Sequence, residues 1–267
     1  MPRHSAGHAL GKLVHEECSA VIAGLRGRKA LHTRVHEARK AIRRARALLA
    51  LAEDGDAAFD IGPADRILQR VGDSLSRLRD AHVAIDTARL VGKQTETKRW
   101  RPVVIALRAR SAGLIAHELE RDPGLARRVS TVEGALHYLD ALPWAELTAA
   151  QIRAGLQRQH RRVERAARRA GKHPDADRLH TWRRKVRRLR MQVEALPKLK
   201  PHWSKSTPSA PKSKSLHKLS DALGREQDLQ VLAGLLRRLP GLDDRAARRA
   251  ELDALIAASA ANAANSN

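Results

Sequence analysis

Aromatic residues and cysteine are scarce in this chain of 267 residues. One Tyr, one Phe and four Trp make up an aromatic content of only 2%. Proteins that bind single-stranded bases usually stack them on aromatic rings. The composition therefore disfavours a protein that recognises bases.

The single cysteine, Cys18, excludes an internal disulfide framework, and we expect it to be a small core residue on a helix. No apolar run approaches the roughly 18 residues of a transmembrane helix, and no apolar signal segment follows the N-terminus. The sequence therefore predicts a soluble, cytoplasmic protein without a membrane partner.

Positive charge is abundant. The chain holds 52 Lys and Arg against 29 Asp and Glu, a formal net charge of +23. So much charge of one sign repels itself in the compact state, unless a polyanion neutralises it. Arginine, which supplies most of the excess, binds phosphate with a rigid bidentate fork. We expect a polyanionic partner that is held by its charge rather than by its bases.

One segment, residues 35–46, shows how this charge is organised. At about 100° per residue on a helix, its apolar residues form one stripe: Val35, Ala38, Ile42, Ala45 and, beyond the segment, Leu49. The opposite side carries a row of cations led by a histidine: His36, Arg39, Lys40, Arg43 and Arg44. One face is predicted to pack while the other presents the cations.

The same pattern recurs at residues 179–190 without a gap. The second row is His180, Arg183, Arg184, Arg187 and Arg188, shifted by 144 residues (180 − 36). A second pair of similar segments surrounds Asp80 and Asp228, at a shift of 148 residues (228 − 80). Solenoid repeats are roughly 20–50 residues long, so these shifts indicate a duplicated half-domain.

No stretch alternates apolar and polar residues as a strand does, so the sequence predicts an all-α protein. We expect two four-helix bundles related by an approximate internal two-fold, within one domain over residues 1–258. The halves cover about 8–124 and 144–258, and a tail at 259–267 is expected to be disordered. Helices are predicted at 8–26, 33–52, 63–91, 98–120, 132–142, 144–170, 176–196, 216–239 and 242–258, with a flexible basic loop at 200–215.

Each of these features has alternative interpretations. The cationic rows are either anion-binding surfaces or solvated helix faces, and the absence of acids from them favours anion binding. The two leading histidines are either phosphate donors, structural residues, or metal ligands with help from His32. Asp80 and Asp228 either orient an arginine of their own half or act as acid–base groups. Trp182 lies on an apolar stripe, and we expect it in the core.

Taken together, four segments resemble the CHAD family, the conserved histidine α-helical domain. They are 35–44, 79–83, 179–188 and 223–229. The resemblance implies an all-helical domain of two four-helix bundles that binds inorganic polyphosphate through basic residues and is associated with polyphosphate granules. Gln227 stands where the family often has a histidine. No acidic Glu-x-Glu-x-Lys signature of a fused triphosphatase is present.

The sequence therefore predicts a protein that binds inorganic polyphosphate without catalysis, metal or cofactor; the alternative is sequence-nonspecific binding of nucleic acid. No P-loop, His-Glu-x-x-His or Gly-x-Ser-x-Gly motif is present. The predicted contacts are the two cationic rows together with a third row at Arg158, Arg161, Arg162 and Arg165, and with Arg79, Lys218 and Arg225. The sequence does not specify the oligomeric state.

Overall fold

The computed structural model describes residues 5–53, 59–96, 98–173, 175–199 and 213–264. Over these residues the chain forms ten α-helices and no strand, which confirms the all-α class. The helices are α1 (Ala6–Arg26), α2 (Leu31–Leu49), α3 (Gly62–Ser74), α4 (Ser76–Gln94), α5 (Arg101–Arg121), α6 (Ala126–Asp140), α7 (Ala149–Lys172), α8 (Ala176–Leu199), α9 (Ser213–Leu236) and α10 (Arg245–Ala264). Short 3-10 turns precede α5, α6 and α7.

The helices pack around two hydrophobic cores, and each core draws on both halves of the chain. The first core joins α1, α2 and α3 to α6, α7, α8 and the start of α9. The second core joins α4 and α5 to the end of α9 and to α10. Each half therefore contributes helices to both cores. The two-fold relation between the halves stays a prediction.

The predicted helix at 63–91 is interrupted at Leu75, which divides it into α3 and α4. The carbonyl oxygen of Gly72 accepts hydrogen bonds from the guanidinium of Arg39 and, at 3.3 Å, from the hydroxyl of Ser76. A side chain that bonds the carbonyl four residues earlier commonly bends a helix. The break thus coincides with a local side-chain bond and with a contact from α2, and the second of these is not visible in any local pattern.

Three other expectations are corrected or fall outside the described residues. Helix α8 continues through Pro197, because a proline in the last turn removes only one backbone donor. Helix α10 continues to Ala264, so residues 259–264 are helical, as their high alanine content favours. Of the expected loop at 200–215, residues 213–215 instead begin helix α9, and residues 200–212 lie outside the described part of the chain. No described helix has the length and apolarity to cross a membrane.

Candidate functional site

Helices α2 and α8, which carry the two cationic rows, pack against each other and line one cleft of about 710 Å³, the central cleft. Its lining includes nine arginines and one lysine against two aspartates. Its cations are Arg39, Arg43, Arg46, Arg79, Arg162, Arg183, Arg184, Lys185, Arg187 and Arg188. The second row and part of the first therefore face a shared space rather than separate surfaces.

The buried stripes of the two helices aim these side chains. In α2 the stripe that includes Val35 and Ile42 is buried in the first core. In α8 Trp182, as expected, is buried at 5% exposure in the same core, along with Val186 and Leu189. Because each helix buries its apolar face, the opposite face must turn its arginines toward the cleft.

Arg43 and Arg187 come from opposite halves, and their pKa values are lowered furthest among the cations of the cleft. Burial, followed by repulsion from Arg39 and Arg79, lowers the pKa of Arg43 to about 10. Burial, followed by repulsion from Arg43 and Arg183, lowers the pKa of Arg187 to about 9. Neither side chain forms a hydrogen bond or ion pair with a described residue. Since arginine stays protonated in proteins, this unpaired charge is placed to attract an anion.

Arg79 is held by two carboxylates. Its Nη1 donates to Asp80 Oδ1 at 2.9 Å, and its Nη2 donates to Asp228 Oδ1 at 3.2 Å. Asp80 orients an arginine of its own half, as predicted. For Asp228 the prediction is wrong, because its partner lies 149 residues away in the other half. The contact forms because α4 packs against α9.

Two other arginines are fixed at the α3 side of the cleft. Arg46 forms a bidentate pair with Asp65, at 2.8 and 2.9 Å, and also donates to Gln69 at 3.1 Å. Arg39 donates to the Gly72 carbonyl and, at 2.8 Å, to the hydroxyl of Ser76. These contacts hold the guanidinium groups in place before any ligand arrives, which lowers the entropy lost on binding.

The two leading histidines lie in different surroundings. His180 lines the cleft, and its Nδ1 donates to the amide oxygen of Gln227 at 2.6 Å. Burial, followed by the cations Arg184 and Arg183, lowers its pKa, against the opposing effect of that hydrogen bond. His36 lies outside the lining, and its side chain is largely exposed. Partial burial of its ring, followed by repulsion from Arg43 and Lys40, lowers its pKa. In both cases the surroundings therefore disfavour the protonated imidazole.

A comparison with known protein families shows which family the chain belongs to. The family model for the CHAD domain matches residues 10–237. The chain belongs to the CHAD family. The crystal structure of the CHAD domain from the plant Ricinus communis is similar over 95% of this chain and 89% of that chain, with 22% identity and a TM-score of 0.58. At that identity the similarity shows the shared fold. No curated protein matches.

Several sequence-predicted contacts of this CHAD domain lie outside the cleft lining. Arg44 turns to α1 and pairs with Glu17 at 3.5 Å, so α2 does not present one continuous row to the cleft. The reason is geometric, because adjacent residues of a helix point about 100° apart. The other predicted contacts outside the lining are His36, Lys40, Arg158, Arg161, Arg165, Lys218 and Arg225.

The cleft of this CHAD domain also contains residues that the sequence prediction missed. Arg46 continues the row of Arg39 and Arg43 by one further helical turn, so its spacing was a usable signal. Other missed lining residues give no such signal, because only the fold brings them there: Gln69, Gly72, Ser76, Gln159 and Lys185.

Proposed function

We propose that this CHAD domain binds inorganic polyphosphate in the central cleft and does so without catalysis. The observation that carries the proposal is that Arg43 and Arg187, from opposite halves, line the same cleft and have no hydrogen-bond or ion-pair partner among the described residues. Each phosphate unit of the polymer would bring a negative charge between the rows and relieve their mutual repulsion. A polymer of closely spaced charges suits a cleft lined by closely spaced cations.

The composition of the lining favours polyphosphate over a nucleic acid. Apart from the imidazole of His180, no aromatic ring lies among the residues that line the cleft. Bases would therefore find no stacking platform, which single-stranded nucleic acids usually use. In competition at matched charge and moderate salt, RNA should fail to displace polyphosphate. Displacement by RNA would favour nucleic acid as the ligand.

The double variant R43E/R187E tests the site. We expect at least a hundredfold loss of polyphosphate affinity with unchanged helicity, because the new carboxylates would pair with cationic neighbours such as Arg39 and Arg183 and preserve the fold. The matched control is R108E/R110E on the exposed side of α5, which changes the net charge equally and should bind nearly as wild type does. Wild-type affinity in R43E/R187E, measured by calorimetry, would show that the assigned cleft is wrong.

The absence of catalysis is proposed because Asp80 and Asp228 already accept hydrogen bonds from Arg79. A carboxylate oxygen that accepts a hydrogen bond from a guanidinium is already engaged and is less available to take a proton from a nucleophile. The protein incubated with labelled polyphosphate and Mg²⁺ should leave the chain length unchanged. Chain shortening that vanishes in D80N or D228N would contradict this part of the proposal.

A further inference from the structure

Helix α7 carries far more positive charge than α1, the helix that packs on the other row-bearing helix. Helix α7 packs on α8 as α1 packs on α2. Yet α7 contains seven arginines and one lysine with a single acid, Glu164, whereas α1 contains Lys12 and Arg26 with two glutamates. The positive charge beside the central cleft is therefore concentrated on α7 and has no counterpart on α1.

Most of this charge lies on one face of α7, which we call the α7 face. It consists of Arg158, Arg162, Arg165, Arg169 and Lys172. At about 100° per residue these positions fall within about 80° of one another, away from the buried side of the helix. The last three are exposed, and none of those three forms an ion pair with a described residue.

The α7 face is continuous with the cleft. Arg162 belongs to both, and Lys185 of α8 lines the cleft beside it. The carbonyl of Lys185 accepts a hydrogen bond from Gln159 at 3.1 Å, which fixes α8 against α7. Burial, followed by repulsion from Arg162, Arg169 and Arg165, lowers the pKa of Lys185. The cations of the two helices thus act on the same space.

We propose that a long polyphosphate chain leaves the cleft past Arg162 and Lys185 and continues along the α7 face, which gives the protein a preference for long chains. Ten residues separate Arg162 from Lys172, a distance of about 15 Å at about 1.5 Å per residue. Helix α1 offers no comparable path, so the chain extends from the cleft on one side. This inference rests on the proposed function of the cleft.

The test compares tripolyphosphate, short enough to be held in the cleft, with long-chain polyphosphate. The variant R165Q/R169Q/K172Q should keep the wild-type affinity for tripolyphosphate and lose about tenfold or more for the long chain. The slope of log affinity against log salt for the long chain should fall by about 2, since each lost phosphate contact removes about 0.7 in single strands. Calorimetry at several salt concentrations measures both.

The control variant R108Q/R110Q/R121Q removes the same charge from exposed positions of α5 and should bind both ligands as wild type does. Equal losses for short and long chains in the α7 variant, or an equal loss in the control, would overturn the inference, because the effect would then come from net charge. If wild type binds neither ligand, the proposed function itself fails. Unchanged long-chain binding in the α7 variant overturns only the path along α7.

Discussion

Replacing Arg43 and Arg187 by methionine should stabilise the ligand-free protein while it weakens polyphosphate binding. The folded state lowers the pKa of these groups to about 10 and about 9, so it disfavours their charged forms. At about 1.4 kcal/mol per unit of pKa, this corresponds to about 3 kcal/mol for Arg43 and about 5 kcal/mol for Arg187. Both groups are charged at pH 7, so the full penalty is present there.

The net gain in the free energy of unfolding should be smaller than the sum of these two penalties. Part of the repulsion is shared between the two groups, and the cleft is open to water, which screens it. Methionine keeps an unbranched apolar stem in place of the arginine stem. Replacing buried charges by apolar residues of similar volume commonly stabilises a protein by about 1–4 kcal/mol, and we expect R43M/R187M to fall in this range.

Chemical and thermal unfolding in a buffer free of polyanions measures the effect. Each kcal/mol should raise the Tm by about 2–4 °C in a protein of this size. The control R108M/R110M, at exposed positions of α5, should stay within about 0.5 kcal/mol of wild type. Saturating polyphosphate should stabilise wild type by about 3 kcal/mol at a hundredfold excess over Kd, and should stabilise R43M/R187M much less. A destabilised R43M/R187M would refute the electrostatic strain assigned to the cleft.

Two further predictions concern pH and packing. Because the folded state lowers the pKa of His36 and His180, the ligand-free protein should lose stability as the pH falls below the ordinary value of about 6.5, while polyphosphate affinity rises. Thermal unfolding and calorimetry across that range should show both trends, and H36Q/H180Q should weaken them, leaving the part of the stability trend that comes from His82, whose pKa the fold also lowers; trends unchanged in this variant would contradict the assignment. Gly155→Ala should cost about 1–3 kcal/mol of unfolding free energy, because its Cβ would lie 2.3 Å from the carbonyl oxygen of Leu51. Gly134→Ala, with nothing within 4 Å, is the control, and equal urea midpoints for the two variants would contradict the close packing of α7.

Helix positions could be predicted well from the sequence because they depend on local periodicity. The first helix was expected at 8–26 and spans Ala6–Arg26, and the second was expected at 33–52 and spans Leu31–Leu49. The cationic face of α2 could be predicted for the same reason, since Val35 and Ile42 fix which side is buried. Cys18 and Trp182 are buried, as their apolar stripes indicate.

The tertiary contacts of the site could not be predicted in this way. Arg43 and Arg44 point about 100° apart on α2, but only the position of α1, with Glu17, decides which of the two leaves the cleft. The contact of Arg39 with the Gly72 carbonyl, at the break between α3 and α4, joins residues that lie more than 30 positions apart. The pairing of Arg79 with Asp228 depends on how α4 meets α9.

The meeting of α4 and α9 explains why the cleft needs both halves of the chain. Each of these helices passes from one core to the other: Leu78 and Leu223 belong to the first core, and Ala84 and Leu229 to the second. The ion pair of Arg79 with Asp228 lies at this passage, so it fixes an arginine of the first half with a carboxylate of the second. The first half alone would lack that carboxylate as well as Arg187, the guanidinium that faces Arg43. Two halves with similar cationic rows thus form one cleft together, because Arg187 and Asp228 of the second half complete the site that Arg43 and Arg79 of the first half begin.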